Sequence, residues 1–320
     1  MEKEVAIDPE LLGKAYEKFN AIRPDNYDEF KKALKSGNKA EENKFNKQYG
    51  VYYTPREIVH YICQQTLINY LFTELKNIPK EDFEILIQFG ENISENEALI
   101  EKNGKETDTY YYKLSETIRK NAKKIDEKLA NIKVCDPAVG SGAFPVGLMT
   151  EIIKIRNVLS AYIKDEVRTV YRFKRECIEN SLYGVDIDTG AVEIAKLRLW
   201  LSLVVDENDI TQIKPLPNLD YKIVCGNSLL SVEKDLFNEK ALEKLKNIKL
   251  LYFNETNPTK KKELKKEIEE KIAEISNGHT EFDFDVYFSE VFSENGGFDI
   301  VIGNPPYVST KGISEKDKRI

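Results

Sequence analysis

Asn304, Pro305, Pro306 and Tyr307 stand together behind a short apolar run, Phe298-Asp-Ile-Val-Ile-Gly303. The run is rich in branched side chains and lies between Gly-Gly and Asn-Pro-Pro, a pattern that predicts a short strand ending abruptly. Asn304 precedes a proline and is biased toward an extended conformation. Pro305 and Pro306 have fixed φ and no N–H. The predicted loop is rigid and offers an amide carbonyl, proline carbonyls and an aromatic face. That set suits a planar ring bearing an exocyclic amine: two carbonyls take the two amine hydrogens, and Tyr307 stacks on the ring. The plainer reading of a Pro-Pro pair is a turn after a buried strand.

A second cluster occupies residues 132–149. A strand over Ile132–Cys135 is predicted to run into Asp136, a glycine turn and then a helix. Gly140 and Gly142 let backbone approach a ligand closely. The helix N-terminus suits a carboxylate, and Asp136 suits an ammonium. A dinucleotide-binding turn would want Gly-x-Gly-x-x-Gly and an acid about 20 residues on. Here Pro145 takes the third glycine position, and the next acid at a strand end is Asp186.

That strand, Tyr183-Gly-Val-Asp186, leaves a carboxylate able to accept from a pair of ribose hydroxyls. Asp188 is expected to cap the following helix. The helix, Ala191–Val205, is expected to bury Ile194, Leu197, Leu201 and Val204, with Trp200 in the core. A third strand, from Tyr221 to Cys225, leads to Gly226-Asn227-Ser228. Asn227 can accept from an amine and donate to a ring nitrogen, or simply make a Gly-Asn turn. Three successive strands ending in polar turns favour the ligand role.

The flanking elements read more plainly. Thr54, Pro55 and Glu57 predict a capping box at the start of a helix that buries Ile58, Ile62, Cys63 and Leu67. Lys113–Ala130 predicts a helix with Leu114, Ile118, Ala122, Ile125 and Leu129 on one stripe. Residues 231–279 read as a helical excursion between the third and fourth strands, and ion pairs at four-residue spacing account for its charge. Acids in Pro24-Asp-Asn-Tyr-Asp-Glu-Phe-Lys31 fall too close together for a nuclease hairpin, and Asp25 or Asn26 as a helix cap is the better reading.

Taken together, Asp136-Pro-Ala-Val-Gly-Ser-Gly-Ala-Phe144, Tyr53-Thr-Pro55 and Asn304-Pro-Pro-Tyr307 resemble the motifs of adenine-specific DNA methyltransferases from restriction–modification systems. The likeness is greatest to type IIG enzymes and methylase subunits, with the gamma-type order of donor motifs first, and runs from about residue 49 to 310. It implies a Rossmann-like class I methyltransferase sheet in a catalytic domain over 49–320, behind an N-terminal helical region over 1–48. It also implies S-adenosyl-L-methionine held by Tyr53, Thr54, Asp136, Ala138, Gly140, Ser141, Gly142, Asp186, Ile187, Asn227 and Ser228. Asn304, Pro305, Pro306 and Tyr307 would then act on the N6 amine of an adenine flipped out of double-stranded DNA. Many relatives carry Asp where this chain has Asn227. Methylation of cytosine N4, RNA or protein glutamine, and a donor-binding module without turnover, remain alternatives. Of the family's strands only the first four are expected here, and a C-terminal target-recognition segment is expected to be absent, as in a fragment or split protein.

The 320 residues are 32% charged and 41% hydrophobic, enough for a substantial core. The net charge of −7 argues against a generic nucleic-acid binder. Cys63, Cys135, Cys177 and Cys225 are far apart and only His60 and His279 could join them, so no metal site is expected. Without a signal peptide or a bilayer-length apolar stretch, the expected location is the cytoplasm.

Overall fold

A computed structural model describes residues 9–20, 27–36, 54–103, 113–164, 168–205, 219–229, 236–255, 257–275 and 282–305. In chain order the elements are α1 (Pro9–Asn20), α2 (Tyr27–Ser36), α3 (Arg56–Glu74), α4 (Lys80–Asn103), α5 (Glu116–Asn131), β1 (Val134–Asp136), α6 (Ala143–Leu159), α7 (Val170–Asn180), β2 (Leu182–Asp186), α8 (Thr189–Val204), β3 (Ile223–Cys225), α9 (Leu236–Asn254), α10 (Pro258–Ile275), α11 (Phe284–Tyr287), α12 (Ser289–Asn295) and β4 (Ile300–Val301).

The four strands form one parallel sheet in the order β3-β2-β1-β4. Val134 pairs with Leu182 on one side and Ile300 on the other, and Gly184 pairs with Ile223. Side chains alternate across the sheet. Val134, Leu182, Ile223 and Ile300 join the core under α3 to α8. Their neighbours Cys135, Tyr183 and Val224 face Phe282, Phe288 and Val291 on the opposite side. Tyr183, Phe288 and Phe298 meet edge-to-face there, at centroid distances of 5.2–5.6 Å. Because the strands are parallel, Asp136, Asp186, Gly226 and Gly303 all emerge at one edge, where such sheets bind ligands.

Local sequence explains much of the framework. The Ser115 hydroxyl accepts from the Ile118 N–H (3.3 Å) and starts α5, whose predicted stripe from Leu114 to Leu129 is buried. Helix α6 is apolar on several sides, with Leu148, Met149, Ile153 and Val158 all buried, because it lies between the sheet and α3, α4, α5 and α7. Asp126 of α5 holds Arg156 (3.0 Å) and Arg168 (2.6 Å), and both guanidinium groups sit over the Phe173 ring. Lys249 is wholly buried and ties α9 to α11, donating to the carbonyls of Val286 (3.4 Å) and Tyr287 and pairing with Glu290 (3.4 Å).

Three readings of the sequence need correction. Helix α3 buries Val59, Cys63, Leu67, Ile68 and Leu71, whereas Ile58 is 49% exposed. Its cap position is taken by Pro55 without a side-chain bond, so Thr54 and Glu57 make no capping box. Helix α8 buries the face through Ala191, Ala195, Arg198, Leu199 and Ser202, while Ile194, Leu201, Val204 and Trp200 are half-buried and Leu197 is exposed. In α10, Lys266 pairs with Glu270 at the expected four-residue spacing (3.6 Å), whereas Lys261 and Lys265 place like charges four residues apart and find partners outside the helix. Lys265 reaches Asp220 (2.9 Å) and Lys261 lies over the Tyr252 ring. The Asp25 or Asn26 cap falls outside the described residues. Among those described, no helix is long and apolar enough to cross a membrane.

Candidate functional site

The strand ends converge on the glycine turn that joins β1 to α6. Gly140 (φ +51°) and Gly142 (φ +86°) are both left-handed, a conformation that favours glycine. A side chain at Gly140 would meet nothing within 4 Å, so the turn leaves open space above it. At Gly142 a Cβ would come 3.1 Å from that of Ala195, which lets α6 begin against α8.

Asp136 begins the turn and is 1% exposed. Its Oδ1 accepts from the Ala138 N–H (3.0 Å), and its Oδ2 is buried with no hydrogen-bond partner among the described residues. Burial, aided by the charge of Asp186, pushes the carboxyl up to about 7. Asp136 is therefore an enclosed carboxyl at the start of the turn. Asp186, at the end of β2, accepts from the N–H groups of Gly140 (2.7 Å) and Asp188 (2.9 Å). Its carboxylate thereby holds the turn in place while staying half-buried at the sheet edge. Ile187 beside it is 74% exposed, an apolar side chain turned to solvent.

Ser141 is buried, and its carbonyl and hydroxyl oxygens accept from Arg198 Nη1 (2.8 and 3.1 Å). Arg198 was not legible as a site residue, since it interrupts an apolar run of α8 as any surface arginine would. Asn227 and Ser228 follow β3 and are half-buried. Asn227 Oδ1 accepts from the Leu229 N–H (3.1 Å), a side-chain turn that leaves its amide N–H groups to point elsewhere.

The Asn304 loop meets this turn from β4. A Cβ on Gly303 would come 2.5 Å from Asp136 Oδ1, so the chain passes directly over that carboxyl. Asn304 is exposed and its Nδ2 donates to Thr54 Oγ1 (3.2 Å), which uses the hydroxyl expected to cap α3. Pro305 is exposed beside it. Ala138 is half-buried in the turn. Tyr53, Pro306 and Tyr307 lie outside the described residues.

Below Thr54, Arg56 Nε donates to His60 Nε2 (3.2 Å), which leaves the proton of His60 on Nδ1, facing Glu151 Oε1 at 2.6 Å. Glu151 is buried and also accepts from Gln64 (2.9 Å), so His60 is a satisfied structural residue. Among the described residues, no three His, Cys, Asp or Glu side chains are grouped as metal ligands.

Residues 180–320 match the family described as Eco57I restriction-modification methylase. The matched stretch includes Asp186, Asn227 and Asn304–Tyr307 but not the glycine turn. A Methanocaldococcus jannaschii protein assigned as a type II restriction enzyme and methyltransferase is 33% identical over 241 residues, covering 71% of this chain and 17% of that protein. The type II restriction enzyme and methyltransferase of Escherichia coli, RM.Eco57I, is 25% identical over 206 residues, covering 60% of this chain and 16% of its own length. The chain thus spans about a sixth of the length of these relatives.

Proposed function

We propose that this chain, a relative of the restriction–modification methylases, is the methyl-transferring part of a DNA methyltransferase. On this reading its sheet is of the Rossmann-like class I kind and residues 49–320 form the catalytic domain, with α9 and α10 as its insertion. The substrate is the N6 amine of an adenine extruded from duplex DNA. The observation that carries the reading is the meeting of two loops at one sheet edge, where Gly303 passes over Asp136 and Asn304 follows at once.

The residues present fit S-adenosylmethionine. The buried, unpartnered Asp136 Oδ2 is an acceptor in want of a donor, which an ammonium supplies. The open space over Gly140 admits a ligand against backbone. Asp186 retains lone pairs for ribose hydroxyls, and exposed Ile187 offers an apolar surface to a purine. Tyr53, Thr54, Ala138, Ser141, Gly142, Asn227 and Ser228 complete the assigned set, with Ser141 acting through its hold on the turn. When bound, the donor supplies an electrophilic methyl group on a sulfonium.

Asn304 Oδ1 and the Pro305 carbonyl accept the two hydrogens of the adenine amine. This draws the nitrogen toward tetrahedral geometry and frees its lone pair. A neutral amide is no strong base, so these groups act by orientation and electrostatics. Pro306 stiffens the loop and Tyr307 stacks on the extruded base. Calorimetric titration with S-adenosylmethionine tests the donor half. Saturable binding by the wild type and at least tenfold weaker binding by Asp186→Ala are expected. Equal binding by both would remove Asp186 from the site, and no binding by the wild type would refute the donor assignment.

A further inference from the structure

Helix α1 lies across α8, and two chains of contacts lead from it to the two flanks of the glycine turn. In the first, the Tyr16 hydroxyl donates to Asp188 Oδ2 (2.9 Å). Asp188 caps α8 through the Gly190 N–H (2.8 Å), and its own N–H donates to Asp186 Oδ1 (2.9 Å). Asp186 Oδ2 in turn accepts from the Gly140 N–H (2.7 Å). A Cβ at Gly190 would come 2.5 Å from the Tyr16 hydroxyl, so the phenol reaches Asp188 only because that position is glycine.

In the second, Gly13 brings the backbone of α1 against the Arg198 guanidinium, and a Cβ there would lie 2.5 Å from Nη1. Arg198 is 3% exposed, and the same Nη1 holds the carbonyl and hydroxyl of Ser141 (2.8 and 3.1 Å). One face of α1 therefore bears on Asp186 and Gly140 at one flank of the turn and on Ser141 at the other. A phenol donating to a carboxylate is among the stronger neutral-donor bonds. Burial, the bond to Asp188 and the charges of Asp188 and Asp186 keep the Tyr16 phenol protonated well above its ordinary range, so it remains a donor at working pH. The first turn of α1 is fixed separately, where Glu10 accepts from Arg56 of α3 (3.3 Å).

We propose that α1 belongs to the donor site, with Tyr16 and Gly13 as positioning residues that set Asp186 and the Gly140–Gly142 turn, so that docking of α1 and donor binding are coupled. The inference rests on the donor reading given above. Coupling of this kind is reciprocal: bound donor slows amide hydrogen exchange in α1, and loosening α1 weakens the donor.

The test is calorimetric titration of the full chain with S-adenosylmethionine, for wild type, Tyr16→Phe, Gly13→Leu and Leu11→Ala. Leu11 sits on the same helix but is 64% exposed and reaches neither flank. Each protein is also melted, and hydrogen exchange of α1 is followed with and without donor. Tyr16→Phe should lose about five- to tenfold in affinity at an unchanged melting temperature, Gly13→Leu more, and Leu11→Ala nothing, with donor-dependent protection of α1 in the wild type. Unchanged affinity in Tyr16→Phe and Gly13→Leu, an equal loss in Leu11→Ala, or a loss that follows the melting temperature would each overturn the coupling while leaving the donor site standing. No saturable binding by the wild type would take down the donor reading and this inference together.

Discussion

Replacing Asp136 by asparagine separates the stability of the site from its use. The carboxyl has an ordinary value of 3.8 and is pushed up to about 7 in the folded chain by burial. A group with a raised folded value favours folding when protonated. Its contribution is complete below the unfolded value and is lost as pH rises through 7. Above that pH the fold carries an enclosed charge costing about 4 kcal/mol relative to acid. About 2–3 kcal/mol of that cost is recovered between pH 8 and pH 5. Asparagine removes the charge and keeps an oxygen for the Ala138 N–H, but leaves its own amide hydrogens without a partner, at about 1–3 kcal/mol. Asp136→Asn should therefore be more stable than wild type at pH 8 by about 1–3 kcal/mol, and the advantage should shrink by about 2–3 kcal/mol at pH 5. On the proposed donor reading, donor binding should fall sharply, because the acceptor offered to the ammonium is gone. Urea unfolding of both proteins at the two pH values measures the difference, and other titrating groups cancel in the comparison. A difference that does not change with pH would show that Asp136 does not titrate in this range. A less stable variant at pH 8 would show that a partner already offsets the charge.

Asp126→Ala strips two nearly buried guanidinium groups of their shared carboxylate and should cost about 3–5 kcal/mol in urea unfolding; a loss below about 1 kcal/mol would mean the cluster is well solvated. Burial raises the Asp126 carboxyl but the bonds from Arg168 and Arg156 lower it further, so its support is present above the usual carboxylate range and fades only in stronger acid. Gly303→Ala forces the Asn304 loop off Asp136, and a displacement near 1 Å should lower methyl transfer by about 100-fold while donor affinity changes little; unchanged turnover would show that the two loops move freely. Cys225 is the one exposed thiol of the four, so a thiol reagent should label it alone in the folded chain. Its sulfur lies 3.5 Å from the Ile187 carbonyl, so S-adenosylmethionine should slow the labelling; equal rates with and without donor would place the purine elsewhere.

The strand-and-turn framework was legible because glycine, proline and acidic residues punctuate it. Asp136, Asp186 and Asn227 each stand where a short apolar run stops, and Asp188 caps α8 as its position suggested. The fourth strand is shorter than the apolar run implied. Phe298 serves the aromatic cluster, and the Asp299 side chain accepts from the Lys133 N–H (2.7 Å). What failed did so for reasons outside local sequence. The enclosure of Asp136 depends on Gly303, far along the chain. Helix α8 packs on both the sheet and α1, so its apolar residues run round the helix and the period misidentifies the buried face. Thr54 satisfies the capping pattern, yet its hydroxyl accepts from Asn304. Arg198 and Tyr16 carry no motif, and only their tertiary contacts reveal them.

Digesting duplex DNA to nucleosides after incubation with the chain and methyl-labelled S-adenosylmethionine tests the transfer most directly. Labelled N6-methyladenine from wild type, and none from an Asn304→Ala protein that still binds donor, is the expected result. Label on another base, or equal label from the Asn304→Ala protein, would contradict the assignment of Asn304 and its loop to the adenine amine.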